Sequence, residues 1–257
     1  IVIKYGGNVL IDRNVFNNFI SDINVLNKLG LSIIVVHGGG PRIKRELDKK
    51  KIVSKFINGL RVTDKDSMNI VAKVLSDEIN QELSEMINSF GGITININKD
   101  SEKILLTEKI SSQIDLGYVG QIKNVDTNFL INALQSNYIP VIAPLGFNEN
   151  NEIFNINADD VACSIAASIS AEKLILMTDQ EGVLNDNGEL LTNLDVAEVK
   201  KLIKKEIISG GMLPKVNACI TALGGGVKKT HIIDGRVEHA VLLELFTNTG
   251  IGTLVNK

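Results

Sequence analysis

The sequence contains few cysteines and histidines, and each shortage excludes a class of protein. Cys163 and Cys219 are the only cysteines among 257 residues, and they form no CxxC pair. We interpret both as small buried hydrophobic residues in helices, which excludes a disulfide framework and fits a reducing compartment. We assign no residue of the sequence to metal binding.

The sequence also lacks an excess of basic residues and any long apolar segment. Twenty-seven Lys and Arg against 30 Asp and Glu give a net charge of -3, without the basic excess that a polyanion partner favours. Apolar runs such as 32–36 and 139–145 are far shorter than the roughly 20 residues that span a bilayer, and no secretory signal comes first. We expect a soluble protein, cytoplasmic or in a plastid stroma, with no nucleic-acid and no membrane partner.

Continuous apolar runs alternate with helical patterns along the chain. Residues 1–5 and 31–36 are mostly apolar and β-branched, and apolar residues recur at helical spacing over 15–26. Such runs are typical of parallel strands that are covered on both faces. The pattern predicts an α/β protein with a mostly parallel sheet between helical layers. We expect one domain, 1–257, of two lobes that join near residue 172.

Two local predictions concern the middle of the chain. Thr63 and Asp66 have the spacing of a capping box at the start of a long helix. The short alternating segments 93–97, 104–107 and 117–125 predict hairpins laid over one end of the sheet.

Three glycine clusters are the strongest local signal in the sequence. They are Gly6-Gly7 after the first strand, Gly38-Gly39-Gly40 between a strand and a helix, and Gly210-Gly211 before another helix. Free amides at such junctions favour an anion, and missing side chains let it approach the backbone; the alternative is a tight turn. Neither GxGxxG nor GxxxxGK[ST] occurs, so dinucleotide-binding and P-loop folds lose support. The clusters suggest a polyphosphate and an anionic co-substrate.

Four charged residues are candidates for chemistry. Lys4 lies in an apolar strand, where an unpaired charge is costly unless it meets an anion; the alternative is a lysine that snorkels from the strand end. Lys215 lies at the start of a helix, where the dipole disfavours a cation. Arg61 could bind a carboxylate with its fork, or be simply exposed. Asp159 lies in the first turn of a helix, a position that the helix dipole alone can explain.

Five segments, taken in order, resemble the motifs of the amino-acid kinase family. They are IKYGG (3–7), HGGGP (37–41), NGLRVT (58–63), NINAD (155–159) and GMLPKV (211–216). The resemblance covers essentially the whole chain, and five ordered motifs are more specific than any one. It implies a three-layer sandwich around an open, mostly parallel eight-stranded sheet. Residues 1–172 would bind N-acetyl-L-glutamate and residues 173–257 would bind ATP.

The resemblance also implies a role for individual residues. Lys4 and Lys215 would contact the transferring phosphoryl group, and Asp159 would hold both lysines in place. The residues implied to bind the acetylated amino acid are Gly38, Gly39, Arg61 and Asn155. Those implied to bind the nucleotide are Gly6, Gly7, Thr178, Asp179, Gly182, Gly210, Gly211, Met212 and Lys215. His37 belongs to a motif, but we assign it no chemical role.

The implied reaction is the ATP-dependent phosphorylation of the side-chain carboxylate of N-acetyl-L-glutamate, a step of arginine biosynthesis. A carboxyl group with a pKa of about 4.3 is ionised at neutral pH, so the attack needs no general base. The catalytic task is to bring two anions together, with Mg²⁺ bound along with ATP.

The C-terminal residues His231, Glu244 and Gly250 resemble the arginine-inhibited branch of the same family. The resemblance implies L-arginine as a feedback inhibitor and a homo-oligomer, either dimer or hexamer. A PII-type signalling protein is a further implied partner. The alternative is that His231 lies in a core strand and Glu244 on a solvated helix face.

Three other functions stay open. The first is another kinase of the family, acting on aspartate, glutamate, carbamate or UMP, and a substrate panel would distinguish it. The second is a non-catalytic sensor on the same fold, for which loss of a reactive lysine would be the sign, but both lysines are present. The third is a hydride-transfer enzyme, which the missing GxGxxG disfavours.

Overall fold

The structure, a computed structural model, describes residues 1–7, 12–248 and 250–257. Its strands are β1 (Val2–Tyr5), β2 (Ile34–His37), β3 (Phe56–Ile57), β4 (Leu60–Arg61), β5 (Thr94–Ile97), β6 (Leu105–Lys109), β7 (Gly120–Val125), β8 (Ile139–Ile142), β9 (Leu145–Phe147), β10 (Ile153–Asn155), β11 (Lys173–Thr178), β12 (Asn193–Asp195), β13 (Lys229–Asp234) and β14 (Thr253–Asn256). Its helices are α1 (Arg13–Lys28), α2 (Gly40–Lys49), α3 (Lys65–Lys73), α4 (Gln81–Ser89), α5 (Thr127–Gln135), α6 (Ala158–Ser168), α7 (Val196–Lys204), α8 (Met212–Gly224) and α9 (Ala240–Phe246), and a π-helical segment, Val74–Asn80, joins α3 to α4.

An eight-stranded sheet forms the centre of the molecule. Its strand order is β12-β14-β13-β11-β1-β2-β8-β5. Among the described strands of this sheet, only β13 and β14 pair antiparallel, and the other neighbours are parallel. The predicted mostly parallel, eight-stranded sheet is confirmed.

Helices cover both faces of this sheet. Because successive side chains of a strand point to opposite faces, Val2 and Val36 join one buried cluster and Ile3 and Val35 join the other. The first cluster includes residues of α5 to α8, and the second includes residues of α1 to α4 and α9. The predicted three-layer sandwich is therefore confirmed.

The hairpin prediction for the middle of the chain is partly wrong. Strands β6 and β7 form an antiparallel pair within a separate sheet of order β10-β9-β6-β7, as expected for a hairpin. Residues 94–97 instead form β5, one of the two edge strands of the main sheet, parallel to β8. An edge strand has one neighbour, and only Ile97 of β5 is fully buried, so its sequence lacks the continuous apolar run of an interior strand.

The capping box predicted at Thr63 and Asp66 is also wrong. The carboxylate of Asp64 accepts a hydrogen bond from the amide of Ser67 at 2.8 Å and caps α3. The hydroxyl of Thr63 donates to the carbonyl of Arg61 at 2.7 Å, so it is not free to cap the helix. Within the described residues, no helix is long and apolar enough to cross a lipid bilayer.

The topology places the ends of three neighbouring strands at one edge of the sheet. Strands β2, β1 and β11 are parallel neighbours, so Gly38, Gly6 and Thr178 lie close to one another at the carboxyl edge. The proposed lobe boundary near residue 172 falls in the connection from α6 to β11 and stays a prediction.

Candidate active site

A cleft of about 1170 Å³ opens at this edge of the sheet. It brings together every residue that the sequence predicted to act in catalysis, acceptor binding or nucleotide binding. These lining residues are Lys4, Gly6, Gly7, Gly38, Gly39, Arg61, Asn155, Asp159, Thr178, Asp179, Gly182, Gly210, Gly211, Met212 and Lys215. Their functional roles stay predictions, whereas their common location is a feature of the fold.

Asp159 joins the two predicted catalytic lysines. Its Oδ1 lies 2.9 Å from Nζ of Lys4, and its Oδ2 accepts a hydrogen bond from Nζ of Lys215 at 2.8 Å. Lys4 comes from β1, Lys215 from the first turn of α8, and Asp159 from the first turn of α6, which Asn157 caps at 2.9 Å. Three elements that are distant in sequence therefore meet at one carboxylate.

The charges of these three residues do not cancel. Burial by itself would raise the pKa of Asp159, but the positive charges of Lys4 and Lys215 outweigh it and lower this pKa to about 2. Burial lowers the pKa of Lys4, and the neighbouring Asp159 opposes that shift. Two ammonium groups and one carboxylate leave one net positive charge at the site, which favours an anion such as a phosphoryl group.

Two glycine clusters pack against each other beside this charge. A Cβ atom at Gly38 would lie 2.8 Å from the amide nitrogen of Gly7, and one at Gly7 would lie 3.0 Å from that of Gly40. Side chains are thus excluded from both positions. The first amides of α2 have no acceptor within their own helix, so they can bind an anion at this point of the cleft.

Arg61 and Asn155 line the same part of the cleft. The Arg61 guanidinium donates to the Gly40 carbonyl at 3.2 Å, bonds the Ser54 hydroxyl and lies 4.6 Å from the centre of the Phe56 ring. Burial lowers the pKa of Arg61, but a guanidinium stays charged at any ordinary pH. Asn155 donates its side-chain amide to the Thr63 hydroxyl at 3.2 Å.

The predicted nucleotide-binding residues line another part of the cleft. Thr178 ends β11 and its hydroxyl donates to Asp179 at 3.3 Å. A Cβ atom at Gly182 would lie 2.6 Å from both Leu190 and Thr253, so only glycine fits there. Gly211, by contrast, has open space where its side chain would be. This open backbone at the start of α8 leaves room for a bulky ligand.

The sequence interpretation missed two residues that position a side chain of the cleft. Ser54 and Phe56 hold the Arg61 guanidinium. Ser54 and Phe56 gave no signal, because their contacts depend on the β3–β4 pairing that brings Phe56 opposite Arg61.

The predicted effector residues also come together, but outside the residues that line the cleft. Nδ1 of His231 lies 2.6 Å from Oε1 of Glu244, and Oε2 of Glu244 accepts the Ile251 amide at 2.7 Å. A Cβ atom at Gly250, where φ is +63°, would lie 2.8 Å from that carboxylate. Among the described residues, Nε2 of His231 has no hydrogen-bond partner. Burial by itself would raise the pKa of Glu244, but the hydrogen bond with His231 and the backbone contacts outweigh it, so this pKa is lowered.

The chemistry of the cleft fits Mg²⁺ that arrives with a nucleotide. No group of three or more His, Cys, Asp or Glu side chains in the described part of the chain could hold a metal ion. Magnesium in nucleotide sites needs few protein ligands, because phosphate oxygens and water supply most of its coordination. Glycine amides and lysines, which bind the phosphates themselves, are the donors that such a site requires.

The structure is thus an α/β protein whose cleft brings glycine clusters and two lysines together. The sequence matches the model of the amino acid kinase family over residues 1–234. The chain belongs to the amino acid kinase family.

Relatives of known name support a finer comparison. The chain is 46% identical over 266 residues to acetylglutamate kinase of Pelobacter propionicus, covering 100% of this chain and 91% of that protein. It resembles N-acetylglutamate synthase of Neisseria gonorrhoeae in complex with coenzyme A and N-acetyl-glutamate, at 26% identity and a TM-score of 0.91. The same synthase with coenzyme A and L-arginine gives 25% identity and a TM-score of 0.87. Both matches include 100% of this chain, which corresponds to only 59% and 61% of the length of the two synthase chains.

Proposed function

We propose that this chain transfers the γ-phosphoryl group of ATP to the side-chain carboxylate of N-acetyl-L-glutamate, forming N-acetyl-L-glutamyl 5-phosphate. The observation that carries this proposal is the Lys4–Asp159–Lys215 arrangement at the meeting point of two glycine clusters. The full-length relationship to acetylglutamate kinase supports the choice of acceptor and a place in arginine biosynthesis.

The acceptor binds beside α2. Arg61 is held by the Gly40 carbonyl and Ser54, with its planar fork available to a carboxylate. Asn155 supplies an amide on the adjoining strand β10, and the amides around Gly38 and Gly39 receive the reacting end of the acceptor. These cationic and amide donors suit the two carboxylates of N-acetyl-L-glutamate.

The nucleotide binds where the cleft is lined by Thr178, Asp179 and the start of α8. Gly210 and Gly211 leave space beside the helix N-terminus, whose amides favour phosphate. Mg²⁺ bound with ATP neutralises part of the phosphate charge and fixes the phosphate geometry. Gly6 and Gly7 then face the transferring group from β1.

The transfer itself needs no proton. One oxygen of the ionised carboxylate forms a bond to the γ-phosphorus while the bond from phosphorus to the bridging oxygen breaks, and ADP leaves with that electron pair. Lys4 and Lys215 stabilise the negative charge on the moving phosphoryl oxygens. Asp159 holds the side-chain nitrogens of both lysines in place before the substrates arrive, so little reorganisation is needed during the reaction.

We also propose that L-arginine binds near His231, Glu244 and Gly250, on the strength of their contacts and of the arginine-bound synthase to which the fold is similar. A homo-oligomer, a PII-type partner and a location in the cytoplasm or a plastid stroma stay predictions from the sequence.

The test is a substrate panel with purified protein, ATP and Mg²⁺. ADP release is measured with N-acetyl-L-glutamate, L-glutamate, L-aspartate, carbamate and UMP, and hydroxylamine traps any acyl phosphate as a hydroxamate. We expect turnover with N-acetyl-L-glutamate at a kcat/KM at least about 100-fold above the others, since a site that binds a polar group rejects analogues without it. A preference for any other acceptor would reassign the substrate within the family.

A further inference from the structure

A buried histidine that the proposed reaction does not use lies directly behind the glycine cluster. His37 ends β2 and is fully buried. Its Nδ1 lies 3.1 Å from the carbonyl oxygen of Gly38, and its Nε2 lies 3.3 Å from Nδ2 of Asn80. Asn80 is the last residue of the π-helical segment and is also fully buried.

The hydrogen bonds of Asn80 determine where the protons lie. Its Nδ2 donates to the Val141 carbonyl at 2.9 Å, and its Oδ1 accepts from Nδ2 of Asn98 at 3.3 Å. The Val141 oxygen can only accept, so the amide nitrogen of Asn80 must face it, and the second N–H points to His37. The Asn80 side chain is therefore saturated, with each of its polar hydrogens and its oxygen engaged.

The same logic fixes the state of the His37 ring. The Gly38 carbonyl is an acceptor, so Nδ1 carries the proton and donates to it. Nε2 must then be unprotonated in order to accept the Asn80 N–H. The ring is neutral, and each of its two nitrogens has one partner. Proton transfer chemistry is thus not available to His37, and its role must be one of position.

The contact to Gly38 sets the direction of the next peptide group. In a planar trans peptide, the C=O of Gly38 and the N–H of Gly39 point in opposite directions. Because His37 holds the Gly38 oxygen on the buried side, the Gly39 N–H is turned toward the other side, where Gly7 lies. A Cβ atom at Gly7 would indeed be 3.1 Å from the Gly39 nitrogen, and both glycines line the cleft.

The π-helical segment supports this peptide through apolar contacts too. A Cβ atom at Gly39 would lie 2.6 Å from Cδ2 of Leu75 and 2.9 Å from Cδ1 of Ile79. Both side chains belong to the same segment as Asn80. The wider turn of a π-helix changes which residues share a face, and here Leu75 and Ile79 meet Gly39 while Asn80 meets His37.

We propose that His37 and Asn80 are positioning residues that orient the Gly38–Gly39 peptide so that the Gly39 N–H points at the acceptor carboxylate and the phosphoryl group it attacks. The proposal rests on the proposed function for the identity of that ligand. Arg61 donates to Gly40 in the same loop, so a displaced loop would also displace the acceptor's guanidinium partner. The nucleotide-binding residues on β11 and α8 lie outside this network.

The test compares Asn80→Leu and His37→Asn with Asn24→Leu. Asn80→Leu removes the donor to His37 with little change in volume, and His37→Asn keeps a donor near the Nδ1 position but removes the acceptor. Asn24 is a matched control, because it is buried in α1 and donates to the Ile20 carbonyl at 2.9 Å without touching the loop. We expect Asn80→Leu to lower kcat/KM for N-acetyl-L-glutamate by about 10- to 100-fold, as a misplacement near 1 Å can do. KM for ATP should stay within about twofold, and His37→Asn should show a smaller loss.

The Gly39 amide resonance in ¹⁵N-labelled, ligand-free protein supplies a second readout. We expect Asn80→Leu to shift it and Asn24→Leu to leave it unchanged, even if both variants lower Tm equally. An unshifted resonance, or equal changes in KM for both substrates, would overturn the positioning role. If Asn80→Leu fails to fold, His37→Asn decides by the same two measurements. Failure of the wild-type protein to use N-acetyl-L-glutamate would refute the proposed function, whereas the Gly39 resonance would still test the network.

Discussion

At the scale of single residues, the contacts of Asp159 explain why two lysines can be buried side by side. Each ammonium group has its own carboxylate oxygen, at 2.9 and 2.8 Å, and the net charge that remains is positive. Such a group is costly to assemble in a folded protein unless it serves a ligand, because desolvation of buried charges opposes folding. This cost is consistent with the proposed role of the three residues as a preformed site for the charge of a phosphoryl group.

Replacing either lysine tests this view. We expect Lys4→Met and Lys215→Met each to lower kcat by at least about 100-fold, because each removes fixed positive charge from the transition state. Lys228→Met is the matched control, since Lys228 forms an exposed ion pair with Glu172 at 2.7 Å. Steady-state kinetics of the folded variants measure kcat. A near-normal kcat in Lys4→Met would contradict the proposed catalytic role of Lys4.

Arg61 provides a substrate-selective prediction. Arg61→Ala should raise KM for N-acetyl-L-glutamate by about 10- to 100-fold, the range expected for lost hydrogen bonds to a charged group. KM for ATP should change much less, because Arg61 contacts the α2 end of the cleft. Arg45→Ala, an exposed position on α2, controls for loss of charge. Equal increases in both KM values would assign Arg61 a general structural role instead.

The burial of His37 predicts that the stability of the folded protein depends on pH. Burial lowers the pKa of His37 to about 4, Gly38 opposes this shift, and Arg42 adds to it. Below the ordinary pKa of about 6.5 the unfolded chain binds a proton that the folded protein refuses, so stability must fall as the pH falls from about 6.5 to 4. The loss amounts to about 3 kcal/mol at most. Urea unfolding of wild type and His37→Asn between pH 7 and 4 should therefore show a steeper decline for wild type, and parallel declines would contradict the burial argument.

At the scale of elements, the interior strand β2 was predictable and the edge strand β5 was not. Strand β2 is buried along its whole length, and its sequence is apolar up to His37, whereas β5 is half-exposed and resembles a hairpin strand. The cap of α3 was misplaced by one residue, because Thr63 and Asp64 are both good caps and the Thr63 hydroxyl is used by Arg61.

Some residues of the candidate site were predictable from local sequence, and Asn80 was not. Lys4, Gly38 and Asp159 stand at the ends of strands or the starts of helices, where local sequence already indicates ligand binding. Asn80 gives no such signal, because it lies inside a helical pattern and reaches His37 across 43 residues of sequence. A π-helical turn is a response to tertiary packing, so the face that Asn80 presents was not readable from a 3.6-residue period.

The contact between the π-helical segment and α2 can be tested with alanine at glycine positions. Gly39→Ala should destabilise the protein by about 1 to 3 kcal/mol, because its Cβ would overlap Leu75 and Ile79. Gly224→Ala is the control, since Gly224 ends α8 with open space around it, and alanine there should be neutral or stabilising by up to about 1 kcal/mol. Urea unfolding measures both. Combining Gly39→Ala with Leu75→Ala should cost less than the sum of the two single changes, and strict additivity would show that the overlap is not the cause.

At the scale of the whole molecule, the central sheet connects two sites. Strands β1 and β11 end at the catalytic cleft, and β13, the next strand along, carries His231 on the face that packs against α9. The cluster of His231 and Glu244 thus lies two strands from Lys4 in the same sheet. A ligand that moved α9 could therefore act on the cleft through the packing of neighbouring strands, without reaching it directly.

This arrangement makes the response to L-arginine the last test. We expect millimolar L-arginine to reduce the rate with N-acetyl-L-glutamate, because an arginine guanidinium can compete with His231 and the Ile251 amide for the Glu244 carboxylate. Glu244→Gln removes that negative charge and should raise the arginine concentration for half-inhibition by at least about 10-fold, measured relative to its own uninhibited rate. L-Citrulline, which lacks the charge, serves as the control ligand, and light scattering with and without arginine records the oligomer mass. Equal inhibition of wild type and Glu244→Gln would show that arginine does not bind at Glu244. If arginine does not inhibit wild type, the proposed feedback inhibition is wrong, whereas the proposed kinase reaction is unaffected.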